Sequence, residues 1–223
     1  MLRAMKGAEF VAEMETTLWQ ILSVRDVALS RLAETAGRAD MAALLRGALR
    51  NEMEASEIAA RWMPETTDLE AKLAFARQAG DEARHFQLIS RRLVDLGVDA
   101  GDAFVVADER SRLYRYFESL TTTVERIAAT QFTREAIGYK SNELFIAYCE
   151  ACGDVETAKM YRESIQPDER HHHLWGKDVI ARLASGEAEQ ANAKKAILAT
   201  LELAEELRSL AAGRLLVETP PGC

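Results

Sequence analysis

The sequence predicts an all-α chain: an antiparallel bundle of helices with one long crossover, and an additional helix at each end. Three observations carry this. Apolar residues recur at helical spacing almost throughout, and no stretch reads as a strand. Breakers are scarce, with 4 Pro and 12 Gly in 223 residues, which favours long helices over many short strands. The turn signals are uneven, giving two short internal connections and one long one.

In chain order, a leading helix covers about 8–36 and ends at Ala36-Gly37. A second covers about 39–62, with Asp40 near its start, and stops before Pro64. A third starts near Thr67-Asp68 and runs to Gly97. The segment GVDAGDAFVVADE is the longest break. A very long helix from about 108 to 151 follows, and Gly153-Asp154 turns it into a helix over about 155–185. Ser185-Gly186 ends that helix, a last one covers about 188–212, and VETPPGC is a tail. Short connections make antiparallel neighbours, so 39–62 pairs with 67–97 and 108–151 with 155–185. The long break is then the crossover between two hairpins. The whole chain, 1–223, reads as one domain with its bundle core at about 39–185.

Composition excludes several function classes. Hydrophobic residues are 48% and charged residues 29%, an ordinary soluble globular balance. The net charge is −8 and the pI about 5.2, which offers no basic face to nucleic acid or to an anionic membrane. No apolar run approaches the ~18 residues of a membrane span, and the N-terminal stretch lacks the apolar core of a signal peptide. The three cysteines, Cys149, Cys152 and Cys223, form no disulfide framework and point to a reducing, cytoplasmic setting. Cys149 and Cys152 make one C-x-x-C. A rubredoxin-type or zinc site needs a second pair, so these two read as small buried residues.

The chemistry concentrates in two segments, D-E-A-R-H-F at 81–86 and D-E-R-H-H-H at 168–173, which hold all 4 histidines. Glu82 and His85 are spaced i, i+3, as are Glu169 and His172. That spacing places both side chains on one helix face, roughly 5–6 Å apart at Cβ, close enough to grip one ion. The two segments fall in corresponding places of the two hairpins, a weak internal repeat. Glu82 lies on an otherwise apolar seam of Phe75, Ala79, Phe86, Ile89, Leu93 and Leu96. Glu52 lies likewise among Met41, Leu45, Ala48, Ala55, Ala59 and Trp62, whereas Glu54 and Glu57 fall off that stripe and read as solvated or inter-helix charges. A buried carboxylate needs a positive partner. On the long helix the seam Phe117, Thr121, Val124, Ala128, Gln131 leads to Glu135, with Tyr139 one turn on. Glu135 mirrors Glu169 across the turn near 153, and Glu143 is its rival for the same role. Four carboxylates balance two divalent cations. Mixed carboxylate and imidazole donors suit iron or manganese better than calcium or thiolate-bound zinc.

Over about 39–185 the sequence resembles the ferritin-like di-iron carboxylate superfamily. Asp81-Glu82-Ala83-Arg84-His85 looks like the D-E-x-R-H motif of soluble di-iron oxygenases and related oxidases. Asn51-Glu52-Met53-Glu54-Ala55 and Glu169-Arg170-His171-His172 look like ligand stretches of rubrerythrins. The resemblance implies that Glu82 and Glu169 bridge two metals, with Glu52 and His85 completing one and Glu135 and His172 the other. It further implies that Asp81 and Asp168 orient the histidine of the opposite hairpin, with Arg84 fixing Asp81. Rubrerythrins add a Glu where this chain has Gly138, and this chain has no rubredoxin-like cysteine set. Both departures favour an oxygenase or oxidase over a peroxidase.

Other residues carry smaller expectations. Pro167, two residues before Glu169, is either a helix restart or a kink beside the site. His173 is expected to be exposed, and His171 to be a flanking residue or a proton relay. Tyr139 and Trp175 are core aromatics or carriers of an electron or radical. Phe86, Phe132 and Phe145 are candidate walls of a substrate pocket.

The resulting expectation is a di-iron enzyme that activates O2 to oxidise a small apolar organic substrate, with electrons from an external donor. The same ligands suit Mn/Fe and Mn/Mn. The alternative is a ferritin- or rubrerythrin-type protein for iron handling or peroxide detoxification. The expected assembly is a homodimer.

Overall fold

The computed structural model describes residues 5–33, 40–103 and 110–215, and every regular element among them is helical. α1 (Gly7–Ala33), α2 (Met41–Glu65), α3 (Leu69–Asp95) and the single turn α4 (Ala100–Ala103) are followed by α5 (Arg112–Glu118) and α6 (Thr123–Ile127). A π-helical segment, Ala128–Arg134, leads into α7 (Glu135–Ala151). α8 (Val155–Met160) leads through a second π-helical segment, Tyr161–Ile165, into α9 (Gln166–Leu183), and α10 (Glu187–Leu215) follows.

Local chemistry sets most boundaries. The Asp40, Asp68 and Asp154 carboxylates accept from the N–H groups of Ala42, Ala71 and Thr157, three donors that a helix start leaves without an intrahelical partner. α3 and α7 end alike. Gly97 (φ 91°) and Gly153 (φ 79°) take the left-handed conformation. The next N–H in each case donates back to the last turn: Val98 to the Leu93 carbonyl, Asp154 to that of Cys149. Arg92 then ties α3 to the second turn, reaching Asp154 at 2.7 Å and Thr157 at 2.8 Å.

The long helix expected over 108–151 is broken. Ser119–Thr122 interrupts it, and Thr122 restarts it through a capping box with Glu125. Thr121, expected on the buried seam, is therefore exposed. α2 passes through Pro64 instead of stopping before it. The carbonyl that Pro64 cannot serve belongs to the exposed Ala60, where water can satisfy it. Glu54, read as a solvated or an inter-helix charge, is the second: it is buried, and its carboxylate accepts from the backbone N–H and the hydroxyl of Ser111, the N-cap of α5. Glu57 is half-buried and pairs with Arg110. The expected crossover falls partly on residues 104–109, outside the described residues.

α2 packs along α3, and α9 packs against α7, α1 and the first π segment. The apolar interior forms two clusters. One joins Leu44, Leu45 and Leu49 of α2, Phe86, Ile89 and Leu93 of α3, Phe145 and Cys149 of α7, and Tyr161 and Ile165. The other joins Ile58 and Trp62 of α2, Phe75 of α3, Phe132, Val179 of α9, and residues of α1, α5, α6 and α10. On α2 and α3, Glu52 and Glu82 fall between residues of one cluster and residues of the other, and Glu169 falls between Ile165 of the smaller and Val179 of the larger, whereas Glu135 is flanked by Phe132 and Ala136 of the larger cluster. A polar layer thus separates two apolar ones.

Trp62 anchors the larger cluster, edge-on to Phe75 (5.5 Å) and Phe117 (6.4 Å), with the Arg126 guanidinium 5.3 Å above its ring. Trp62→Ala is expected to lower unfolding free energy by about 3–5 kcal/mol, seen as a lower urea midpoint at unchanged slope.

Candidate metal centre

Glu52 comes from α2, Glu82 and His85 from α3, Glu135 from the first position of α7, and Glu169 and His172 from α9. All six are at most 2% exposed. Ligand atoms of Glu52, Glu82, His85 and Glu169 lie within 4.8 Å of one another, and so do those of Glu82, Glu135 and His172. Glu82 belongs to both groups. Its Oε2 is 3.1 Å from His85 Nδ1, and its Oε1 is 3.6 Å from His172 Nδ1. His85 Nδ1 is also 3.4 Å from Glu52 Oε2, and His172 Nδ1 is 3.4 Å from Glu135 Oε2. Two donors bound at about 2.1 Å to one ion at right angles stand about 3 Å apart, so these separations suit shared coordination.

Both imidazoles turn Nδ1 inward and Nε2 outward to an aspartate of the other helix. His85 Nε2 lies 3.2 Å from Asp168, and His172 Nε2 lies 3.0 Å from Asp81. A proton on Nε2, donated to the aspartate, leaves the Nδ1 lone pair facing the carboxylates. Each aspartate is in turn held by arginine, though not as expected. Arg84 binds Asp168 and the Ser164 carbonyl, while Arg77 holds Asp81 at 3.1 Å. Arg84 lies three residues after Asp81 but reaches across to α9 instead.

Two further neighbours bear on the site. Gln78 donates its amide to Glu135 Oε1 at 2.6 Å, and Arg134 reaches the same oxygen at 3.3 Å. Gln78 precedes Glu82 by one turn on the same face, which is the signal that marked it. Arg134 is itself buried and also donates to the Asn51 carbonyl, beside Glu52.

Electrostatically the cluster is strained without a cation. Burial, together with Glu135, Glu82 and Glu52, pushes Glu169 well above the usual carboxylate range. Burial raises Glu52 to about 7 despite His85. Burial would raise Glu82 too, but the His85 hydrogen bond and the charges of His85 and His172 hold it low. Burial would lower both imidazoles. Asp168, Glu52 and Glu82 instead raise His85 well above its ordinary value, and Asp81 and Glu135 raise His172 to about 10. Both Glu52 oxygens, Glu82 Oε1 and Glu169 Oε2 find no hydrogen-bond donor. Buried acceptors without donors are costly, and cations are the partners such oxygens take. The donor set therefore fits a pair of divalent ions.

The remaining expected residues divide cleanly. Glu143 is exposed and paired with Lys140 at 2.7 Å, so Glu135 alone of the two rivals joins the cluster. Tyr139 is half-buried, and its carbonyl accepts from Gln166. His171 is exposed, 5.6 Å from the half-buried Trp175 ring. His173 is buried, contrary to expectation. It sits 2.7 Å from the Phe132 carbonyl and 5.5 Å from the Trp19 ring, because α1 covers that face of α9. Phe86 and Phe145 belong to one apolar cluster and Phe132 to the other. Cys149 is buried and Cys152 half-buried, and burial pushes the Cys149 thiol up to about 12, away from redox reactivity.

Both π-helical segments lie just before a cluster glutamate. The second precedes Pro167, whose missing N–H and bulky ring disturb the turn behind it; the Gln166 N–H reaches back to Tyr161. The first packs on Gly176, where a Cβ would stand 2.7 Å from the Phe132 nitrogen. Gly138 is equally constrained. A Cβ there would meet Glu169 Oε2 at 2.6 Å, so this glycine makes the space that Glu169 occupies.

The pKa shifts set a pH dependence for the metal-free chain. Glu52 and Glu169, raised in the fold, favour folding only while protonated. His85 and His172, also raised, favour it only while charged. All four contributions are therefore lost as pH rises, from about 4.5 through about 7 for Glu52 and from 6.5 through about 10 for His172. Glu82, Asp81 and Asp168, lowered in the fold, contribute above their unfolded pKa values and lose this only at acid pH. Chelator-treated protein is thus expected to be more stable at pH 6 than at pH 9 in urea denaturation.

No curated protein and no solved structure matches the chain. A family model described as "Protein of unknown function (DUF455)" matches residues 14–207, from α1 into α10 and across all six converging side chains. The chain therefore belongs to that DUF455 family.

Proposed function

We propose that the chain is a di-metal oxidoreductase of ferritin-like fold that holds two iron ions and uses O2 to oxidise an organic substrate. One observation carries the reading: four carboxylates and two imidazoles meet in a buried layer, each imidazole backed by an aspartate from the opposite side. Four carboxylates neutralise two divalent cations, and carboxylate with imidazole suits iron or manganese. The α2–α3 hairpin and the α7–α9 pair, linked by the stretch between α3 and α5, support a ferritin-like bundle with a crossover.

In this reading Glu52, Glu82, His85 and Glu169 hold one ion, and Glu82, Glu135 and His172 the other. Two adjacent redox-active ions supply electrons to O2. The chain's own groups do the rest. Asp81 and Asp168 keep a proton on each Nε2, so the proton that a bound cation would displace is the one at Nδ1, leaving each imidazole a neutral donor there. Arg77 and Arg84 hold those aspartates charged and in place. The apolar clusters on either side exclude water, and Phe86, Phe145 and Phe132 among them offer walls for an apolar substrate. A separate redox protein returns the electrons.

Elemental analysis of the full chain is expected to find about two iron or manganese ions, lost in the Glu82→Ala, Glu169→Ala double variant. A metal-free chain that resists loading, with a double variant at least as stable, would overturn the proposal. Loading displaces protons from the raised His85 and His172, so uptake should release acid into weakly buffered solution and strengthen from pH 6 to pH 8. O2 consumption by reduced protein should accelerate with an apolar substrate. Rapid peroxide turnover instead, or a shell storing many irons per chain, would replace the oxidase with a detoxifying or storage role.

A further inference from the structure

We infer that the two ion positions, on the di-metal reading above, are unequal: the Glu52–His85 position binds tightly, and the Glu135–His172 position binds weakly and exchanges. Two features of the geometry converge on this assignment.

The first is the number of donors. Four side chains converge on the Glu52–His85 side and three on the Glu135–His172 side, with Glu82 shared. The second is what already occupies the terminal carboxylates. Neither oxygen of Glu52 has a hydrogen-bond donor, so both remain available to a cation. Glu135 is different. Its Oε1 takes the Gln78 amide at 2.6 Å and the Arg134 guanidinium at 3.3 Å. Only Oε2, 3.4 Å from His172 Nδ1, is left to face the cluster. A carboxylate already sharing its charge with a guanidinium is a poorer donor to a second cation, and Arg134 itself repels that cation.

The clamp on Glu135 is built into the framework. Gln78 lies one turn before Glu82 on α3, so it reaches the cluster on the same face. Arg134 directly precedes Glu135 and is fixed at its other end by the Asn51 carbonyl of α2, at 3.2 Å. Three helices therefore set how much of Glu135 is offered to metal. The position with fewer protein donors is the one that retains room for a ligand from solution. Small molecules accordingly coordinate on the His172 side, and the Glu52–His85 ion stays in place as its anchor.

Calorimetric titration of the chelator-treated full chain with Mn2+ tests this directly. Outer partners of metal ligands typically change affinity by about 10–100-fold, so two steps separated by roughly that factor are expected in the natural chain. Glu52→Gln should abolish the tight step. Glu135→Gln should abolish only the weak one. Gln78→Met, close in shape and unable to donate, should tighten the weak step roughly tenfold and leave the tight step alone. Circular dichroism confirms that each variant is folded, and Arg134→Lys serves if Gln78→Met is not. It keeps the charge but loses the fork, and should also tighten the weak step.

Two steps of equal affinity, a tight step that disappears in Glu135→Gln, or a folded clamp variant with an unchanged weak step would overturn the inference while leaving the di-metal reading intact. A chain that binds neither Mn2+ nor Fe2+ would overturn both.

Discussion

Four carboxylates sit at one level of an apolar interior, and most of the surrounding structure follows from what it takes to keep them there. Each charge removed from water is expensive, and four of one sign within a few ångströms are more expensive still. The fold meets this with two imidazoles, a buried guanidinium and a buried amide, every one of them aimed at a specific oxygen. The outward side of each imidazole is then fixed by an aspartate, and each aspartate by an arginine. The chain of partners ends only at the surface, where Arg77 and Arg84 are about half exposed.

The same constraint organises the core. A continuous apolar interior would leave no place for the polar layer, so the hydrophobic side chains divide into one cluster on either side of it. The two flanks are not built alike. The smaller cluster is drawn from α2, α3, α7, α8 and the second π segment. The larger one adds α1, α5, α6 and α10, and of these α1 buries His173 through Trp19 and Glu15.

The sequence made the polar layer visible because its members stand alone on apolar seams. Glu52 and Glu82 interrupt stripes of Ala, Leu, Phe and Ile, and Glu-x-x-His occurs once in each hairpin. Regular helical spacing was enough to place those residues on the α2–α3 side. It failed where the helix is irregular. The π segments and the break at Ser119–Thr122 disturb the 3.6-residue period, so the seam through Thr121 led to an exposed side chain. Glu54, left open between solvent and another helix, and His173, expected to be exposed, are both buried for another reason. Their burial depends on partners far away in sequence: Ser111 for the first, and the covering α1 with Glu15 and Trp19 for the second. Gln78 was legible only as a neighbour of Glu82 on the same face, because which carboxylate a long side chain reaches is decided by packing.

A π-helical turn spends an extra residue on each hydrogen-bonded loop, so the helix beyond it is rotated relative to the helix before it. Each residue of an α-helix accounts for about 100° of rotation. Within Ala128–Arg134 that extra residue works like a phase shift between two gears. Upstream, α6 keeps Val124 and Ile127 turned into the large apolar cluster; downstream, α7 presents Glu135 to the carboxylates. A uniform α-helix through the same span would turn the residues beyond Arg134 by about 100° relative to the face they now show. The irregular turn thus sets which face of α7 meets the carboxylates.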